Sequence, residues 1–147
     1  MPEIRYLSMA DVLALHQAIM EKFGFASAPL RDEGTLESAI MRPRMAAYYG
    51  EADIIHQAAL LAVGISQAQA FLDGNKRTAF LVCDVFLRLN GLAFVGDPLE
   101  LAMQLVAVAV RTSNLEDTTD GFEEWLRKQV RLREESKNIF PRRSLFP

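Results

Sequence analysis

Cysteine is almost absent. The 147-residue chain holds one, Cys83, so no disulfide can close within it and a reducing compartment suits it. Histidine is nearly as scarce: His16 and His56 each stand without a second ligand one helical turn away, which argues against a zinc site. No apolar run approaches the ~18–20 residues that span a bilayer. The opening residues, MPEIRYLSMADVL, carry acids and polar groups where a secretory signal needs an apolar stretch, so a cytoplasmic protein is expected. Repeats and low-complexity segments are missing too. A net charge of −3 gives no reason to expect a polyanion, and direct contact with nucleic acid is not anticipated.

What remains is a chain that is 50% hydrophobic, enough for one self-sufficient core and too short for two ordinary domains. Its charge is uneven. Between Arg127 and Arg143 seven cations face two acids, so this segment is +5 and, with −3 overall, the remainder is −8. A single domain over residues 1–130 followed by a basic tail over 131–147 is the expected organisation. The tail reads as a solvated or partner-facing terminus.

The periodicity predicts an all-α fold. Val12, Leu15, Ile19 and Phe23 share one face of a helix over residues 9–23, with Ser8 as its N-cap. After a loop, a short helix over 35–42 is expected to stop at Pro43. A longer one over 52–69 carries a face of rather small residues (Ile55, Ala59, Ala62, Ser66) that invites close packing. Residues 74–90 are apolar nearly all round, the mark of a buried central helix, and Gly91 suits a left-handed cap. Asp97, Pro98 and Glu100 then form a strong start signal for a helix to about Arg111. A last helix is expected over 118–135, anchored by Trp125. The one strand-like piece, residues 92–95, reads as half of a small hairpin. Cys83 falls within the central apolar stripe and reads as inert core.

One loop breaks a local rule. Asp73-Gly74-Asn75-Lys76-Arg77 opens the central helix with two cations, where the helix dipole already places partial positive charge. Free backbone N–H groups at a helix start favour anions. Gly74 would let a ligand approach the backbone without a Cβ in the way, and Arg77 offers a fork suited to phosphate oxygens. Asp73, just ahead, could hold a Mg²⁺ that bridges those oxygens. The alternative is structural: Asp73 as an N-cap, Gly74 as a turn residue and the cations as a solvated first turn.

The stretch AFLDGNKRTA resembles the signature of the Fic/Doc family, written His-x-Phe-x-Asp-(Gly/Ala)-Asn-Lys-Arg in its Doc branch. Phe71, Asp73, Gly74, Asn75, Lys76, Arg77, Thr78 and Ala79 all fit. LRDEGTLESAIMRP is similar to the family's second-helix segment, VFLRLNG to the end of its central helix and FEEWL to its last helix, so the resemblance covers about residues 6–127. It implies a Fic/Doc-type bundle of about six helices around a buried central helix, with at most a small β-hairpin. Members that transfer AMP carry Gly at the Lys76 position and a second Arg at the Phe80 position, so both residues resemble the Doc branch instead. That branch implies a toxin of a toxin–antitoxin pair, a kinase that moves the γ-phosphate of ATP to a threonine of elongation factor Tu. Carried onto this chain, Asp73 would position Mg²⁺, while Gly74, Asn75, Lys76, Arg77 and Thr78 would bind the nucleotide. Self-restrained relatives carry a (Ser/Thr)-x-x-x-Glu-(Gly/Asn) helix, which this sequence lacks, so a separate Phd-like antitoxin is implied.

The departure is Gln69, which stands where the family has the histidine that takes the proton from the attacking hydroxyl. A glutamine amide has no useful basicity near neutral pH, and general-base help is typically worth ~10²–10⁴ in rate. Three explanations fit: a pseudo-enzyme that binds nucleotide or antitoxin, a toxin whose base has been removed, or a transfer that needs no side-chain base. AMP transfer stands behind these.

Overall fold

The computed structural model describes residues 3–26, 28–110 and 114–133. Six helices and a two-stranded antiparallel sheet make up the described chain. The first helix, α1 (Met9–Lys22), begins with a reciprocal capping box. The Asp11 N–H donates to Ser8 Oγ at 3.1 Å, and the Ser8 N–H donates to the Asp11 carboxylate at 2.9 Å. Val12, His16, Ile19 and Met20 form its buried face.

Helix α2 (Glu33–Gly50) corrects the expectation of a stop at Pro43, because it continues through the proline for another two turns. A proline removes one i→i−4 hydrogen bond. Here Leu36, Ala39 and Pro43 itself are buried on the face that α2 lays along the next helix, and that packing outweighs the lost bond. The helix ends at Glu51, in the left-handed region at φ 55°.

Helix α3 (Ile54–Ala68) and helix α4 (Asn75–Leu89) form the centre, both buried on most sides. The expected close approach on the small-residue helix is real and is tightest at Gly64: a Cβ there would lie 3.2 Å from the Ala39 Cβ. Gly91 does take φ 83° after α4. Helix α5 (Pro98–Ala109) starts as read, with the Leu99 N–H donating to Asp97 Oδ1 at 2.9 Å. Cys83 is fully buried, and burial pushes its thiol well above the usual range, as inert core requires.

Two expectations at the C-terminal end are corrected. Helix α6 covers Leu115–Arg127, not 118–135, and the chain then turns into a strand. Residues 92–95 are not half of a local hairpin: β1 (Leu92–Phe94) pairs with β2 (Val130–Leu132), two helices later, in the register Leu92↔Leu132 to Phe94↔Val130. Val130 packs into the core while Arg131 and Leu132 remain exposed. Trp125 lies against Phe94 and Phe122 at 5.9 and 6.0 Å, the anchor anticipated for this helix. The basic segment from residue 134 onward lies outside the described residues.

Candidate active site

Residues 69–74 link the two central helices, and most of the polar groups in the link are hydrogen-bonded. Gln69 ends α3 in the left-handed region at φ 52°. Only a few per cent of non-glycine residues adopt such a φ, and they cluster where surrounding contacts hold the chain. Those contacts are present: Arg31 Nη2 donates to the Gln69 carbonyl at 2.6 Å, and the Gln69 side-chain amide donates to the Ser66 carbonyl at 3.0 Å.

Next, residues 29–32 run antiparallel to residues 70–72 as a strap. The Ala70 carbonyl accepts from the N–H groups of both Arg31 and Asp32, and the Leu72 N–H donates to the Pro29 carbonyl at 3.1 Å. Phe71 turns inward, 1% exposed. Its ring lies flat on the His16 imidazole, with centroids 3.7 Å apart and planes within 6°. The Asn75 side chain closes the link from below: it accepts from the Phe71 N–H at 3.0 Å and donates to the Phe71 carbonyl at 2.8 Å.

Asp73 does not cap α4. Its Oδ1 accepts from the adjacent Gly74 N–H at 2.8 Å, and its backbone carbonyl accepts from His16 Nε2 at 2.9 Å. The N-cap is Gly74, at φ 83° and with no side-chain cap. Its glycine identity is demanded twice: the φ is strained for L residues, and a Cβ would lie 2.6 Å from Met20 Sδ and 3.2 Å from His16 Nε2. The first helical hydrogen bond runs from the Thr78 N–H to the Gly74 carbonyl. By helix geometry, the N–H groups of Asn75, Lys76 and Arg77 therefore have no acceptor one turn back.

This uncapped helix start opens into a cavity of about 520 Å³. Gln69, Asp73, Gly74, Asn75, Lys76 and Arg77 all line it, with Ile19, Phe23 and Phe80 among its apolar walls. Six of the seven residues singled out in the sequence thus meet in one place. The seventh, Thr78, is fully buried and is not among the residues that line the cavity. Asn75 also changes character, because its side chain is engaged by Phe71 and only its backbone is left to face a ligand. Arg77 is held by cation–π contacts to Phe23 at 5.3 Å and Phe25 at 4.7 Å.

The donor set suits a nucleotide phosphate with Mg²⁺ better than a metal alone. The described residues contain no group of three or more His, Cys, Asp or Glu side chains able to hold a metal. Mg²⁺ commonly takes one or two carboxylates plus substrate phosphates, and Asp73 beside an anion-binding helix start matches that arrangement.

Sequence reasoning missed three residues that build the site. His16 stands out in the sequence only as a lone histidine without a zinc partner, although a polar side chain on an otherwise apolar helix face is a signal. Arg31 and Phe25 gave none, because their contacts depend on the strap and on the turn after α1. His56 lies elsewhere, thirteen residues (~20 Å) along α3, paired with Glu123 of α6. Nor can His16 Nε2 serve as the missing base: bonded to a carbonyl oxygen, it must carry the proton.

Comparison with known proteins shows the family. A family model described as "Fic/DOC family" matches residues 6–87, more than half of the chain. "Protein kinase doc" of Escherichia phage P1 is 32% identical over 119 residues, covering 78% of this chain and 93% of that protein. "Toxin Doc" of Mycolicibacterium smegmatis is 34% identical over 94 residues, covering 63% of this chain and 69% of that protein. With its signature loop folded around one cavity, the chain belongs to the Fic/Doc family.

Proposed function

We propose that the chain is a Doc-like toxin whose cavity binds ATP with Mg²⁺ and whose ancestral activity is phosphoryl transfer to a threonine of a protein such as elongation factor Tu. The observation that carries this reading is the uncapped start of α4, where Gly74, Lys76 and Arg77 face the same 520 Å³ cavity as Asp73. Phosphoryl transfer depends mainly on positioning and charge neutralisation. The backbone N–H groups of residues 75–77, the Lys76 ammonium and the Arg77 guanidinium would bind the phosphates. Asp73 would hold the Mg²⁺, which would supply positive charge to offset that of the phosphates. Gln69 can accept a hydrogen bond from an attacking hydroxyl but cannot take its proton, so the native chain transfers slowly if at all.

The test compares the chain and its Gln69→His variant, each with ATP, Mg²⁺ and elongation factor Tu. Histidine is among the residues enriched in left-handed conformations, so position 69 accommodates it. The reading expects the factor to gain one phosphate with the variant, at a rate ~10²–10⁴ above the native chain. If neither protein adds phosphate, the kinase reading is wrong; added AMP in the mass spectrum would establish nucleotidyl transfer instead.

A second reading, a non-catalytic module that binds nucleotide or antitoxin, is favoured by the tether between the Gln69 amide and Ser66, which turns the side chain back along its own helix. Calorimetry with ATP and Mg²⁺ separates the two, since binding without turnover in either protein supports the module. A separate antitoxin belongs to both readings. Leu99, Met103 and Val106 on α5, with Val110 at its C-cap, form an exposed apolar stripe that is continuous with the cavity through Val106, and a helical antitoxin segment would cover it.

A further inference from the structure

Behind the strap lies a second cavity, of about 550 Å³, and Arg42 faces it. Thr35, Ser38 and Arg42 fall at i, i+3 and i+7 on α2, so they share one face, and Gln67 of α3 forms the opposite wall. The guanidinium rests where α3 has no side chain: a Cβ on Gly64 would lie 2.7 Å from Arg42 Nη1. Glycine at that position therefore leaves room for a charged group as well as for the Ala39 contact.

Arg42 differs from the other guanidiniums in what it touches. Arg88 and Arg127 find carboxylates, Arg31 a carbonyl oxygen and Arg77 aromatic faces, while Arg5, whose guanidinium also lacks such a contact among the described residues, is exposed to solvent. Arg42 is half-buried, and among the described residues it forms no hydrogen bond, ion pair or ring contact. Burial alone lowers its pKa, with no opposing contribution from a carboxylate. A partly desolvated charge with no counter-group is costly, and an anion supplied from outside would offset that cost. Asp32 also borders the cavity, yet its Oδ1 already accepts from the Thr35 N–H at 3.1 Å as the cap of α2. It forms no ion pair with Arg42.

We propose that the cavity between α2 and α3 is an oxyanion-binding site, in which Arg42 takes a carboxylate or phosphate and the Ser38 hydroxyl donates to the same group. The site is distinct from the helix-start cavity and is independent of phosphoryl transfer. It flanks the same link, however: Asp32 ends the strap and Gln67 lies two residues before Gln69. A protein bound at the helix-start cavity could reach it with an acidic side chain, and a free anion could occupy it alone.

The experiment follows backbone amide resonances by ¹H–¹⁵N NMR during titration with two probes. One is inorganic phosphate; the other is the capped peptide acetyl-Gly-Glu-Gly-amide, with its Gln analogue as control. Saturable shifts at Gly34, Ser38 and Gly64 are expected with at least one probe. They should persist in Arg77→Gln, which disturbs only the helix-start cavity. Arg42→Gln should weaken them by at least about tenfold, as loss of a charged hydrogen-bond donor implies, while shifts at Gly74 and Lys76 remain. Ser38→Ala, at an exposed position, should weaken them several-fold and guards against an Arg42 variant that fails to fold. Response to phosphate alone identifies a free anion as the ligand, and response to the Glu peptide but not its Gln analogue identifies an acidic side chain. No shift with either probe, or equal shifts in Arg42→Gln, overturns the proposal.

Discussion

His16 Nε2 donates to the backbone carbonyl of Asp73 at 2.9 Å, joining residues 57 positions apart in the chain. The same ring lies flat on Phe71, so one side chain from α1 fixes two residues of the link ahead of α4. The orientation of the Asp73 peptide, and with it the Gly74 N–H, depends on this contact.

His16→Phe retains an aromatic face for Phe71 but leaves the Asp73 carbonyl without its donor. Asp73 is exposed and this hydrogen bond only part-buried, so the loss lies at the low end of the ~1–3 kcal/mol that an unsatisfied buried acceptor costs. We expect a loss of stability of that size by urea denaturation. We also expect a weaker affinity for ATP with Mg²⁺ by calorimetry at a temperature where both proteins are folded. Unchanged affinity would show that the link keeps its shape without the histidine.

Gly74→Ala tests the helix start. The left-handed φ costs a non-glycine residue about 1–2 kcal/mol, and the added methyl must also displace Met20, which is 1% exposed. Adding Met20→Ala should relieve the clash while leaving the φ cost in place. The double variant is then expected to bind ATP with Mg²⁺ better than Gly74→Ala, though it is less stable than the native chain.

Asp84 and Arg88 give a pH signature. Burial raises the Asp84 carboxyl above its usual pKa, opposed by the Arg88 guanidinium, whose Nε lies 2.9 Å from Asp84 Oδ2. A raised folded pKa means that the folded state holds this proton more tightly than the unfolded state, so stability falls as pH rises through that window. Arg88→Met removes the opposing charge and leaves a buried carboxylate alone. A loss of about 3 kcal/mol is expected at neutral pH, shrinking as the pH falls and Asp84 takes up its proton. A loss independent of pH in thermal melts would contradict this.

Asp53 behaves in the opposite sense. Hydrogen bonds from Arg127 hold its carboxyl below the usual pKa, against a smaller opposing effect of burial. The pair therefore contributes above the unfolded carboxylate pKa, and the contribution fades as pH falls through the folded one. Both side chains are largely exposed, so Asp53→Asn, which keeps an acceptor for the His56 N–H, should cost no more than about 1 kcal/mol, and less in high salt.

Local signals carried far in this sequence because they depend on neighbours in the chain. The Ser8 and Asp97 caps and the loop from Asp73 to Arg77 were legible as they stand. Pro43 misled because its helical cost is local while the compensation, burial along α3, is tertiary. The β1–β2 pairing was hidden because Val130–Leu132 is too short to announce a strand without its distant partner. The candidate site was legible as a list of polar residues but not as a built object. His16, Arg31 and the Phe25 ring come from segments that periodicity treats as separate, and only the folded chain brings them to the link.

The Asn75 clip has one more consequence. Because a single amide closes on both backbone groups of Phe71, the five residues from Phe71 to Asn75 form a hydrogen-bonded ring whose shape needs no ligand. The conformational freedom of that segment is lost when the protein folds, not when a ligand arrives. Affinity at the helix start is then set by charge and fit, free of the cost of ordering a loop.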